Sequence, residues 1–172
     1  MVVVFEDEFS LSNTATISYD WSPRGVQPLA VCKQRRRERQ TVMGSYNIAT
    51  GQITASFHQR GNYKSLKKHL KKLLHTYRGH SQIIIVLDNV RFHHAKLLKI
   101  WLQGKPQIEL VYLPPYSPEL NPIERAWWYM RKSITHNRYV LSMSDRKKAF
   151  WKMFSHFQKP NEELMKVCEI NY

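Results

Sequence analysis

The sequence predicts an α/β fold, a mixed central sheet flanked by helices on both faces. Strand-like alternation fills the first third of the chain, and near residue 63 the apolar period lengthens from two to that of a helix. The run Gln82-Ile83-Ile84-Ile85-Val86-Leu87-Asp88 is apolar on both strand faces, as a central strand covered by helices must be. Strands first, then helix and strand in alternation, is the order of a mixed sheet in one layered domain.

Each element has its own signal. Residues 2 to 9 read as a buried strand, with Val3, Phe5, Asp7 and Phe9 on one face and Val2, Val4, Glu6 and Glu8 on the other. Residues 14 to 21 and 40 to 58 read as further strands, the latter broken by a turn at Thr50-Gly51-Gln52. Between them, residues 33 to 39 form a basic loop. In residues 63 to 78, Leu66, Leu70, Leu73, Leu74 and Tyr77 follow helical spacing, opposite Lys64, Lys67, Lys68, Lys71 and Lys72. A basic amphipathic helix suits a membrane surface or calmodulin; docking on a sheet is the expectation here. Gly79 is expected to end it. A helix at 93 to 103 and a strand at 107 to 113 follow the central strand, then helices at 122 to 136, 144 to 157 and 161 to 169.

At 172 residues with 42% apolar content, one domain spanning 1–172 is expected. Lys and Arg number 27 against 13 Asp and Glu, a net charge of +14. That excess points to a polyanionic partner, nucleic acid first and an acidic membrane second. The longest aliphatic run, Ile83 to Leu87, is far short of the roughly 20 residues a membrane span needs. The first residues carry no signal-peptide pattern. Cys32 and Cys168 make neither a disulfide framework nor a zinc site, which fits a reducing compartment.

Two carboxylates stand on apolar strands. Asp7 shares a face with Val3 and Phe5, and Asp88 follows Ile84 and Val86. Such a group is costly unless paired, hydrogen-bonded or bound to metal, although Asp88-Asn89 would also serve to cap a turn. Adjacent strands lie about 4.8 Å apart, so the two Asp residues can face each other if their strands are neighbours. Glu124 follows the stretch Leu113-Pro114-Pro115-Tyr116-Ser117-Pro118-Glu119-Leu120-Asn121-Pro122, too proline-rich for a strand or helix interior. Asn121 suits an N-cap, Pro122 the first helical position and Glu124 a capping box. Alternatively the loop is a strut that carries Glu124 to Asp7 and Asp88. Three such carboxylates suit Mg²⁺ or Mn²⁺, and two ions about 3.5–4 Å apart suit phosphodiester chemistry.

The segments "VFEDE", "IIIVLDNVRFHHA" and "LVYLPPYSPELNPIERAWWYMRK" resemble the catalytic core of DDE transposases of the mariner type and their bacterial insertion-sequence relatives. "YDWSPRGVQP" is similar to the family's segment after the first Asp, and the 35 residues between Asp88 and Glu124 match its spacing. The resemblance implies an RNase H-like fold with Asp7, Asp88 and Glu124 as catalytic and metal-binding triad, Glu119 being the rival for the third place. It implies a DNA transposase core that uses Mg²⁺ or Mn²⁺, with two ions during catalysis. Such a core cleaves phosphodiesters at transposon ends and joins them to target DNA, acting as a dimer on DNA. A different RNase H-like nuclease or resolvase, or an inactive DNA-binding remnant, stays open.

Asn89, His93, Trp128 and Arg131 are candidate supporting residues, with Trp128 and Arg131 at i+4 and i+7 from Glu124. His93 is expected behind the ligands or near DNA rather than as a ligand. Arg35, Arg36, Arg37, Arg39 and Arg125 are candidate DNA contacts. The first strand begins at residue 2, so the family's helix-turn-helix region is expected to be absent and supplied separately. A bacterial or archaeal cytoplasm, or a eukaryotic nucleus, is the expected location.

Overall fold

A computed structural model describes residues 1–27 and 38–169. Five strands form one sheet: β1 (Val2–Ser12), β2 (Arg39–Asn47), β3 (Ile53–His58), β4 (Ile83–Leu87) and β5 (Ile108–Tyr112). Their order is β3-β2-β1-β4-β5. The first three pair antiparallel; β4 runs parallel to both β1 and β5. The mixed sheet is therefore as expected, and the Asp7 and Asp88 strands are neighbours.

Helices cover both faces. The α1 (Tyr63–Thr76) and α2 (Lys96–Gln103) helices pack on Val2, Val4, Met43, Ile83 and Ile85. Leu66, Leu70, Leu73 and Leu98 are buried in this layer while Leu97 is exposed, and Asn62 caps α1 by accepting from the backbone N–H groups of Lys64 and Ser65. On the other face, α3 (Ile123–Ile134), α4 (Met143–Phe154) and α5 (Glu162–Cys168) bury Phe9, Leu11, Val42 and Tyr46. Trp127 reaches the sheet over Gly44, where a Cβ would lie 2.3 Å from its ring. Arg146 is fully buried; its guanidinium donates to the carbonyls of Ser12, Ile134 and Arg138, which binds α4 to the end of β1.

Several boundaries differ from expectation. Among the described residues the strand predicted over 14 to 21 does not form: its ladder contact is an isolated bridge from Thr16 to His136. Tyr19 and Trp21 stand fully in solvent, so β-type residues there have no sheet to join. The first strand runs on to Ser12 because β2 pairs with it that far. The helix predicted from 93 begins as a 3-10 turn, Arg91–His94, and α2 starts only after Ala95, whose extended ψ of 130° breaks the coil. The helix ending at 157 closes with a 3-10 turn, Ser155–Phe157. The first helix stops at Thr76, before Gly79. The predicted turn at Gly51 is present, with φ +70°.

Candidate active site

Asp7 lies at the middle of β1 on the α3 face, Asp88 directly follows β4, and Glu124 sits in the first turn of α3. All three line one cavity of about 390 Å³, closed on its far side by Leu113, Pro114, Pro115, Tyr116, Ser117 and Pro118. The proline segment thus forms a wall of the pocket. Tyr116 holds a left-handed backbone, φ 59°, uncommon for a side-chain-bearing residue, and its ring is fully exposed.

The structure decides between capping and strut. Asn121 does not cap α3; the residue before the helix is Pro122, and no side chain caps it. Buried Asn121 instead donates its Nδ2 to the Glu6 carbonyl on β1, 3.1 Å away. The capping box therefore does not form, because a tertiary acceptor takes the side chain. That bond fastens the start of α3 beside Asp7.

The cavity is electrostatically crowded. Burial, then the Glu124 and Glu8 carboxylates, push the Asp7 carboxyl well above the usual carboxylate range. Asp88 is held below it, chiefly by a hydrogen bond from His93. His93 is 1% exposed; burial would depress its pKa, but Asp88, Glu8 and Glu6 outweigh burial and raise it to about 10. Its Nδ1 lies 3.0 Å from the Asp88 carbonyl and 3.1 Å from the Asp88 carboxylate. His93 is thus behind Asp88, not in the cavity.

Glu6 and Glu8 point to the face opposite Asp7, as strand parity requires, and reach His93 there. Glu6 is fully buried, and burial followed by the Glu8 charge raises its pKa well above the ordinary value. Sequence reasoning did not anticipate this Glu6–Glu8–His93 cluster. Its signal was present: acids at i and i+2 on a strand whose same face is otherwise Val2 and Val4.

The other candidates are dispersed. Asn89 lines the cavity and its side-chain oxygen hydrogen-bonds His94, whose ring stacks on Tyr112. Trp128 is exposed under the Lys132 ammonium and borders a second depression that Glu124 and Arg125 share. Arg131 lies over the Phe9 ring, 5.1 Å from its centre. Arg125 is exposed and donates to the Glu169 carbonyl. Arg39 is exposed at the start of β2, opposite Ser12. Glu119, the rival acid, is exposed in a 3-10 turn (Pro118–Leu120) and outside the cavity lining. Arg35, Arg36, Arg37 and Cys32 lie outside the described residues. Cys168 is buried, which lifts its thiol to about 12.

Carboxylates from two adjacent parallel strands and a helix converge on one cavity, and among the described residues no basic side chain lines it; all-oxygen donor sets of this class suit divalent cations. The comparisons name the family within that class. Residues 2–146 match the family model described as DDE superfamily endonuclease, and the chain belongs to that family. It is 32% identical over 144 residues to the insertion element IS630 uncharacterized 39 kDa protein of Shigella sonnei, an alignment covering 82% of this chain and 41% of the relative. It superposes on the Mos1 strand transfer complex with TM-score 0.72 at 15% identity, over 96% of this chain and 50% of that one. The catalytic domain of Mos1 mariner transposase gives TM-score 0.57 at 14% identity, over 96% and 78%. The fold is therefore RNase H-like. The chain spans about half the length, or less, of the fuller relatives it matches.

Proposed function

We propose that this chain is the catalytic core of a DNA transposase, with Asp7, Asp88 and Glu124 as its metal-binding triad. The convergence of these three on one cavity carries the reading. The donor set fits the implied ion. Asp7 is crowded by Glu124, Glu8 and Asp88, and a divalent cation relieves such repulsion. All-oxygen donors favour Mg²⁺ or Mn²⁺, and Mos1 paired-end complexes have been solved with each. Held by Asp7, Asp88 and Glu124, two such ions would supply the Lewis acidity that activates an attacking water or 3′-hydroxyl and stabilises the leaving oxygen.

The chain's own residues do the positioning. Asp7 and Asp88 hold ligand oxygens on rigid neighbouring strands. Glu124 completes the set from a helix fixed to β1 through Asn121. His93 orients Asp88 by donating to it. Tyr116 and Trp128, exposed beside the cavity, suit contact with a DNA strand. The net charge of +14 suits its backbone. On this reading the substrates are transposon ends and target DNA, handled by a dimer, and a module beyond these residues recognises the ends.

Nicking of supercoiled plasmid at low salt with Mn²⁺ tests the reading. Wild type is expected to nick and Asp88→Asn to lose at least roughly a hundredfold in rate, about 2.7 kcal/mol of barrier. Equal nicking by both proteins would overturn the site. Joining of a pre-cleaved 3′-hydroxyl end to a second DNA separates a transposase from a plain nuclease.

A further inference from the structure

The Glu6–Glu8–His93 cluster has no part in the cavity, and ordinary hydrogen bonding leaves it unsatisfied. Both carboxylate oxygens of Glu6, one of Glu8 and the Nε2 of His93 are buried with no hydrogen-bond partner among the described residues. Glu6 is 0% and His93 1% exposed. Such groups are almost always hydrogen-bonded in a folded protein; here the imidazole and the two carboxylates meet only at ion-pair distance.

The spacing does not suit hydrogen bonds. Nε2 lies 3.5 Å from Glu8 Oε1 and 3.9 Å from Glu6 Oε2, beyond the roughly 2.7–3.2 Å of an N–H···O bond. It does suit ligands on a common ion. Metal–N and metal–O lengths of about 2.0–2.2 Å place the corners of a tetrahedron about 3.3–3.6 Å apart. One donor atom from each of the three residues lies within 4.8 Å of the others, so a small contraction closes the set. The imidazole is already oriented for it. Nδ1 faces two acceptors on Asp88, its carbonyl and its carboxylate, so Nδ1 carries a proton and Nε2 turns to the cluster. A metal-bound histidine characteristically donates its other N–H to a carboxylate or carbonyl in this way.

We propose that Glu6, Glu8 and His93 form a second metal site, behind the sheet from the catalytic cavity, for a divalent ion of the Zn²⁺ type. One imidazole and two carboxylates suit that ion, and the partly exposed Glu8 leaves a route for a water in the fourth position. The ion takes the place of the Nε2 proton, which is released on binding. Held in this way, His93 fixes Asp88 from behind, so the ion is a positioning element and touches no DNA. The site stands whether or not the cavity cleaves DNA.

The test uses the full chain carrying Asp7→Asn and Glu124→Gln, which removes two carboxylates from the catalytic cavity and spares the cluster. After chelation, the protein is loaded with Zn²⁺ and passed through gel filtration, and separately titrated with Co²⁺. The expected result is one Zn²⁺ retained per chain and an intense visible Co²⁺ band of low coordination number. Adding Glu6→Gln or His93→Ala is expected to weaken binding roughly tenfold or more and to abolish the band. Glu6→Gln keeps the side-chain volume, and far-UV circular dichroism confirms its fold, so it decides if His93→Ala fails to fold. No retained ion in the Asp7→Asn/Glu124→Gln protein, or retention unchanged by Glu6→Gln, overturns the site.

Discussion

His69 lies wholly buried between the hydroxyls of Ser45 and Ser56, which contact its two ring nitrogens at 2.9 and 2.7 Å. Burial, with smaller contributions from His58 and Lys72, lowers its pKa to about 3. The unfolded chain therefore binds one more proton than the folded one between about pH 3 and 6.5. Stability from this residue is present above pH 6.5 and is lost as pH falls toward 3, by about 1.4 kcal/mol per pH unit. Urea unfolding across that range is expected to show a shallower acid slope for His69→Gln by that amount; equal slopes would mean His69 is protonated in the fold. Asp7 behaves oppositely: burial and the Glu124 and Glu8 carboxylates disfavour its charged form. Without metal, Asp7→Asn is expected to raise stability by about 1–2 kcal/mol while abolishing nicking. A lowered melting temperature in chelator would show that Asp7 supports the fold instead.

The element that matters most for the cavity is the proline segment with the start of α3. Its prolines and the Asn121–Glu6 bond hold Glu124 at a fixed height above β1. Asn121→Ala leaves the Glu6 carbonyl without its donor, at an expected cost of about 1–3 kcal/mol. Nicking is expected to fall further than that loss of folded protein explains, measured as rate per folded molecule. Unchanged activity per folded molecule would reduce Asn121 to a structural bond. The existence of α3 was legible in the sequence, and Ile123, Trp127, Met130 and Ile134, at helical spacing along it, are all buried. The destination of the Asn121 side chain was not, because a local cap would use its oxygen and the distant carbonyl takes its amide N–H, one side-chain orientation serves only one of them, and sequence shows only the first. The strand misread over residues 14 to 21 has the same origin: β-type side chains give a propensity, and a strand also needs a neighbour with open hydrogen bonds.

At the scale of the whole molecule, two apolar layers sandwich the sheet, and the polar chemistry gathers at one end of its two central strands. The expected surface readout is electrostatic. If 6–10 phosphates are neutralised, DNA affinity should drop by roughly 10³–10⁵ between 50 and 200 mM salt. A flat salt dependence in a filter-binding series would exclude backbone contact as the main source of affinity. Among the described residues no helix is long and apolar enough to cross a membrane, and α1 packs its leucine face on the sheet, opposite its lysines.

By itself the sequence determined the mixed α/β class and the apolar character of both faces of the central strand, which periodicity encodes directly. It singled out Asp7, Asp88 and Glu124 through the resemblance of their segments to DDE cores. Only the tertiary structure decided that Asp7, Asp88 and Glu124 share one cavity, that Asn121 ties α3 to β1, and that Glu6, Glu8 and His93 meet on the reverse face. Each of these depends on residues brought together from more than 80 positions apart, and that proximity follows from strand order and register rather than from any pattern within a single element.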